Sequence, residues 1–286
     1  MKPFRSTRLG SGLKRVGRYL ASHVTWGVRY LFAELRYAPQ GWRVINGWDD
    51  QNVADAQERH WPTLVRNLQG SGPLGVAHFP WHTTREDRAD HNVMMSYGYV
   101  LALAARKKDS LSILDWGGGV GHYYLYSKVL LPEVLFQYHC YDVPTLCRVG
   151  RTLLPHIHLS DKEGDFLGRQ FDLVLSSSSL HYFADWRAEV RKLATMTHEL
   201  LYISRLQVVT HAGSFVVSHK IYHDGYGEFL SWCINQQELL SCAEECGLDL
   251  VREFVYYSKS IIRGALEQGD CRGFLFRRQP MSQGRH

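Results

Sequence analysis

Asp115, Gly117, Gly118, Gly119 and Gly121 belong to the run Asp115-Trp116-Gly117-Gly118-Gly119-Val120-Gly121, in which an acid stands just ahead of a cluster of glycines. Glycine is needed where a backbone turns through positive φ or must approach a ligand with no Cβ in the way. A helix opening directly behind such a turn, here at His122-Tyr123-Tyr124, offers unpaired N–H groups and the positive end of its dipole. The chemistry implied is the cradling of a nucleotide-like ligand over the end of a strand. A second acid, Asp142, closes the next apolar run, and a carboxylate placed there can accept from both hydroxyls of a ribose. Asp161 follows the run after that, where an acceptor could meet an adenine amino group. Further on, Phe171-Asp172-Leu173-Val174-Leu175 leads into Ser176-Ser177-Ser178-Ser179 and then Leu180-His181-Tyr182.

The details narrow the ligand. A dinucleotide fingerprint would carry its third glycine at position 122, which is histidine, and a Walker-type loop would need Gly-Lys-Ser/Thr, which is absent. The serines at 176–179 are not a G-x-S-x-G elbow, so hydrolase chemistry is not expected. The histidine pairs His156/His158 and His219/His223 come without a carboxylate set, and no C-x-x-C pair exists among Cys140, Cys147, Cys233, Cys242, Cys246 and Cys271, so no metal is expected.

These residues need a scaffold. Strands are expected over Ser112–Asp115, Leu135–Asp142, His156–Ser160, Phe171–Ser176 and Leu200–Arg205, with helices at 121–131, 144–153, 184–196 and 236–246, the alternation of a parallel sheet. Leu248–Tyr257 and Gly273–Arg277 read as a terminal antiparallel hairpin. Ahead of this domain, placed at 111–279, residues 39–110 read as a helical cap: Asp49 or Asp50 caps a helix running to about Leu68, and Thr83 or Thr84 caps another reaching Lys108. Trp42, Trp48, Trp61 and Trp81 fall in that region and suit a hydrophobic lid. Residues 280–286 are a polar tail.

Residues 1–38 carry Leu13, Val16, Leu20, Val24, Val28, Leu31 and Leu35 at steps of three and four, which predicts an amphipathic helix to about Tyr37. The whole chain of 286 residues has a net charge of +5, but residues 1–40 alone hold Lys2, Arg5, Arg8, Lys14, Arg15, Arg18, Arg29 and Arg36 against Glu34, so the remainder is slightly acidic. A basic arm on an acidic domain argues against a nucleic-acid-binding core. Two partners stay open for the arm: packing on the domain or a second copy of the chain, and peripheral contact with anionic lipid. No stretch reaches about 18 uninterrupted apolar residues and no secretory h-region is evident, so a cytoplasmic protein is expected.

On the motifs quoted, residues 112–277 resemble the class I S-adenosylmethionine-dependent methyltransferases. The resemblance lies in Leu114-Asp115-Trp116-Gly117-Gly118-Gly119-Val120-Gly121, the acid Asp142 ending the second strand, Phe171–Leu175 followed by Leu180-His181, and the terminal hairpin. It implies an α/β fold with a Rossmann-like seven-stranded sheet, parallel with an antiparallel C-terminal hairpin, plus the α-helical N-terminal extension. Trp116–Tyr124, Asp142-Val143-Pro144, Trp232 with Glu238-Leu239-Leu240, and Gly41-Trp42 through Gly47-Trp48-Asp49 also resemble a narrower methyltransferase family. Its members are often found with polysaccharide or other secondary biosynthesis enzymes, and it often carries glutamine where His181 stands.

In the roles this resemblance implies, S-adenosyl-L-methionine is the cofactor. Gly117, Gly118, Gly119 and Gly121 pass beneath its methionine and ribose, and Asp115 holds the turn and the methionyl ammonium, directly or through water. Asp142 binds the ribose, Val143 packs on adenine, Asp161 reaches the adenine amino group, and Ser176 lies near the methyl-donor end. Methyl transfer to a small-molecule or sugar-type hydroxyl needs in-line positioning and benefits from a general base. His181 or His223 is the candidate base, and Tyr182, Tyr222 and Tyr226 are candidates for the acceptor wall. The readings from other classes are an NAD(P)-dependent oxidoreductase or sugar epimerase, and a silent binding module that keeps the fold without turnover.

Overall fold

In the computed structural model, the described residues are 33–43, 45, 47–75, 88–221, 228–259 and 261–280. They form strands β1 (Ala33–Tyr37), β2 (Ser110–Trp116), β3 (Leu135–Tyr141), β4 (His158–Ser160), β5 (Phe171–Ser177), β6 (Thr197–Val209), β7 (Phe215–Ile221), β8 (Glu228–Asn235), β9 (Leu248–Lys259), β10 (Ile262–Arg263) and β11 (Asp270–Arg278). The helices are α1 (Gln51–Leu68), α2 (Arg88–Ala104), α3 (His122–Leu130), α4 (Pro144–Leu153), α5 (Trp186–Met196) and α6 (Gln236–Glu245).

Pairing runs β4-β3-β2-β5-β6-β11-β9, with parallel pairs from β4 through β6 and antiparallel pairs on both sides of β11. The expected parallel sheet with an antiparallel terminal hairpin is therefore present, and β11 inserts between β6 and β9. Consecutive residues of the central strands face opposite sides. Ile113, Leu173, Leu175, Leu200 and Tyr202 pack with α2 and α3, while Leu114, Val174, Leu201 and Ile203 pack with α5 and α6. Burial on both faces is what gives these strands their continuous apolar runs. From β2 the chain moves outward through β3 to β4, then crosses back to β5 on the other side of β2. The C-terminal ends of β2 and β5 thus flank a topological switch point, the place where such sheets hold ligands.

Two expectations are corrected. The N-terminal helix does not extend to Tyr37: Ala33–Tyr37 is strand β1, paired antiparallel with β7 and burying Leu35 beside Phe215, Val217 and Ile262. The helical spacing at its end is overridden because the sheet supplies hydrogen-bond partners and a core for Leu35. Residues 1–32, with the rest of the amphipathic pattern, lie outside the described residues. Second, the span between β6 and α6, where the sequence pattern predicts no strand, holds the strands β7 and β8, which with β1 and β10 extend the sheet beyond the C-terminal end of β6 through Val208↔Ile234 and Val209↔Asn235. The expected α1 is present and capped by Asp50, whose side chain accepts from the Asn52 N–H. No helix of the described residues is long and apolar enough to cross a membrane.

Candidate functional site

The glycine turn leaves β2 and enters α3 with Gly117 at φ 75°, Gly119 at φ 63° and Gly121, the residue capping α3, at φ 88°. All are left-handed, a region that side chains other than glycine's rarely occupy. Gly117 and Gly118 N–H donate to the Tyr141 carbonyl, at 2.8 and 3.3 Å. Trp116 anchors the turn from below: it is fully buried, stacks on Tyr141 at 4.0 Å, and its indole N–H donates to Glu189 at 2.6 Å. Sequence reasoning missed Glu189, whose only signal was an acid on the apolar side of α5.

Asp142 sits at the end of β3 with its carboxylate spanning two backbone donors. Gly119 N–H donates to Oδ2 at 2.6 Å and Val143 N–H to Oδ1 at 2.7 Å. Burial pushes its carboxyl up to about 6, while these two donors pull the other way. Val143 precedes Pro144 at the start of α4 and packs with Val120, Leu146, Val149 and the α1 residues Val53, Ala54 and Ala56. Gly119, Asp142 and Val143 are thus brought together.

Asp115 lies beneath the turn. It is fully buried, Oδ2 accepts from the Tyr138 hydroxyl at 2.8 Å, and Oδ1 has no partner among the described residues. A Cβ on Gly118 would stand 2.3 Å from Oδ2, so Gly118 is the lid over this carboxyl. Burial raises Asp115 to about 7, with Tyr138 lowering it and Asp142 adding to the rise. A carboxyl whose folded value lies above its ordinary value of about 4 stabilises the fold fully at low pH and loses that contribution as pH rises through the interval between the two. Thermal melts of Asp115→Asn against the native protein should therefore show a Tm difference in the variant's favour that grows from pH 4 to pH 7. A difference independent of pH would contradict the assignment.

Other expected site residues are committed elsewhere. Asp161 forms an ion pair with Arg151 at 2.8 Å, which lowers its carboxyl. Ser176 is fully buried, and its hydroxyl bonds to that of Ser179 at 2.7 Å, which donates to the Trp116 carbonyl at 2.6 Å. Ser176 therefore braces the turn after β5 against the glycine turn. Ser178 follows in the left-handed region at φ 55°, its N–H donating to the Ser204 carbonyl.

His181 is buried in the turn Leu180–Tyr182, its Nδ1 without a partner among the described residues. Burial lowers it to about 3, with His219 and Arg205 adding to the effect. His219, on β7, approaches Ser231 at 2.7 Å through Nε2 and is lowered by burial to about 4. Both imidazoles are neutral near pH 7. Tyr182 lies between them and the cap, 5.1 Å from Trp48 and 6.1 Å from His219 by ring centroids. Trp48 also meets Phe229 of β8 at 4.8 Å and packs with Trp61 on the same core, whereas Trp42 stacks on Trp232, and Trp81 lies outside the described residues. Phe229 and Ser231 were missed because β8 itself was. Tyr222, His223 and Tyr226 lie outside the described residues.

The chain matches no known family profile and no curated protein. Among solved structures, it is similar to the CcbJ methyltransferase from Streptomyces caelestis, at 12% identity and TM-score 0.49 over 83% of this chain and all (100%) of that one. An O-methyltransferase family protein from Burkholderia thailandensis is similar at 16% identity and TM-score 0.45, over 80% and 72% of the two chains. A 1,6-didemethyltoxoflavin-N1-methyltransferase from Burkholderia thailandensis, with S-adenosylhomocysteine bound, is similar at 13% identity and TM-score 0.44, over 78% and 91%. Likeness at this level carries nothing about chemistry, which rests on the geometry above.

Proposed function

We propose that this chain is an S-adenosylmethionine-dependent methyltransferase that methylates the hydroxyl of a small molecule. The observation that carries the reading is the Asp142 carboxylate at the end of β3, bonded to the N–H groups of Gly119 and Val143 beside a left-handed glycine turn. The residues fit the cofactor. Gly117 and Gly119 leave space where a Cβ would meet Ser179 or Gln57, Asp142 has the chemistry to accept from ribose hydroxyls, and Val143 offers an apolar surface to a base. His122 in place of a third glycine speaks against a dinucleotide.

The cofactor would supply an electrophilic methyl group on a sulfonium. The protein's part is to hold an acceptor oxygen in line with it and to exclude water. Trp48, Tyr182 and Phe229 form the apolar wall for that purpose, and His181 Nδ1 is the buried acceptor for the departing proton. An imidazole lowered to about 3 is a weak base, since a general base works best with a pKa near the working pH. The pH dependence of kcat should then carry no inflection near the ordinary histidine value of about 6.5. His181→Ala should lower kcat by about tenfold, less than the loss of a base matched to the working pH would cost, with little change in cofactor KM. A limb near pH 6.5 that vanishes in the variant would show His181 to be an ordinary, solvated base.

Calorimetry with S-adenosylhomocysteine tests the donor. Micromolar binding, with none for NAD or NADP, supports the proposal. Binding of the nicotinamide cofactors alone would make the chain an oxidoreductase or epimerase instead. Binding without turnover on any phenolic or sugar acceptor would leave a silent binding module.

A further inference from the structure

Helix α1 turns Val53, Ala54, Ala56, Leu64 and Leu68 inward. Gln57, three and four places beyond Ala54 and Val53, shares that inward side at helical spacing. Its side chain reaches the glycine turn: a Cβ on Gly119 would lie 3.0 Å from Gln57 Oε1 and 3.6 Å from Nε2. Gly119 is the residue whose N–H donates to Asp142 Oδ2 at 2.6 Å. An amide from the cap and the end-of-strand carboxylate therefore both lie against Gly119, and the amide forms no hydrogen bond within the described residues.

The helix is fixed where it delivers this group. Asp49, just ahead of α1, accepts from the Thr145 hydroxyl at 2.8 Å and the Thr145 N–H at 3.3 Å, and Gln51 pairs with Arg148. Both partners lie on α4, which starts immediately after Asp142 and Val143. The position of Gln57 over the turn is thus set by helix packing and not by a loop.

We propose that Gln57 is a cofactor-binding residue, whose side-chain amide hydrogen-bonds the ribose that Asp142 holds. This rests on the nucleoside methyl donor proposed above. The chemistry is complementary. A ribose hydroxyl that gives its proton to the Asp142 carboxylate keeps lone pairs that can accept from the Gln57 Nε2–H, while Oε1 can accept from the neighbouring hydroxyl. The cap then takes part in recognition and is not only a cover for the apolar surface of α4.

The test is calorimetry of S-adenosylhomocysteine with the full chain, its Gln57→Leu variant, which keeps the volume and removes both polar groups, and its Gln57→Glu variant, which removes the donor. Gln57→Leu should weaken binding about tenfold because one or two hydrogen bonds are lost, and Gln57→Glu at least as much, because it loses the donor and adds a second carboxylate to the site of Asp142. The melting temperature without ligand should stay close to that of the native protein. Deoxyribose analogues of S-adenosylhomocysteine give the decisive contrast: removal of the contacted hydroxyl should weaken binding to the native protein and produce much less further loss in Gln57→Leu. Equal affinities for native protein and Gln57→Leu, with Asp142→Ala still impaired, would overturn the Gln57 assignment and leave the methyltransferase proposal standing. No binding of S-adenosylhomocysteine by the native protein would remove both.

Discussion

Asp142→Ala should weaken S-adenosylhomocysteine binding by about a hundredfold or more, since hydrogen bonds to a charged group contribute about 1.5–3 kcal/mol each and ribose offers two. The direct loss is compounded by the loop. Asp142 Oδ2 and Oδ1 hold the N–H groups of Gly119 and Val143, so the variant also loses the brace between the glycine turn and the start of α4. The fold should suffer less than binding. The Asp142 carboxyl is raised to about 6 by burial, which means that its charge opposes folding near neutral pH, and its removal partly offsets the two lost bonds. The expected result is therefore a modest fall in Tm without ligand and a nearly complete loss of the Tm rise that ligand gives the native protein. Asp142→Asn, which keeps one acceptor, should fall between the two. A variant that binds as tightly as the native protein would rule out Asp142 as the ribose residue and remove the main support for a nucleoside ligand.

Gly117→Ala should be strongly destabilising. Gly117 sits at φ 75°, and its new Cβ would lie 2.3 Å from Ser179 Cβ and 2.8 Å from Ser179 Oγ. The left-handed backbone costs a non-glycine residue about 1–2 kcal/mol. Ser179 cannot simply step aside, because its hydroxyl is bonded to the Trp116 carbonyl and the Ser176 hydroxyl, at about 1 kcal/mol for each bond broken. A total near 3–4 kcal/mol corresponds to a fall in Tm on the order of 10 °C for a chain of this size. Gly41→Ala is the internal control: Gly41 has φ 72° and nothing within 4 Å of the added Cβ, so it should show the backbone cost alone. Similar Tm losses in the two variants would mean that the contact with Ser179 is not what excludes a side chain at 117.

Much of the site was legible because its signals are local. Gly117, Gly119 and Gly121 stand where the turn adopts positive φ, and Asp142 stands where a strand ends. The order of strands and helices from Ser110 to Val209, and of α6, β9 and β11 after Gln236, follows from apolar runs and turn residues that are close together in the chain. The misreadings fall where the deciding contact is distant. Ala33–Tyr37 became a strand because Phe215–Ile221 lies beside it. That partner was hard to recognise, since Phe215, Val216, Val217 and Ser218 are all buried and show no alternation of polar and apolar residues.

The same division runs through the individual side chains. Residue types and their spacing, which depend only on what a backbone can adopt and what a carboxylate can accept, sufficed to single out Gly117–Gly121 and Asp142 as the candidate nucleoside site. Which polar groups remain available to a ligand was decided by packing alone. Ser176 is taken by Ser179, Asp161 by Arg151, Asp115 is enclosed under Gly118, and Gln57 comes from a helix far earlier in the chain to lie over Gly119. A side chain's partner is set by distances across the fold, and those exist only once the sheet, its helices and the cap have packed together.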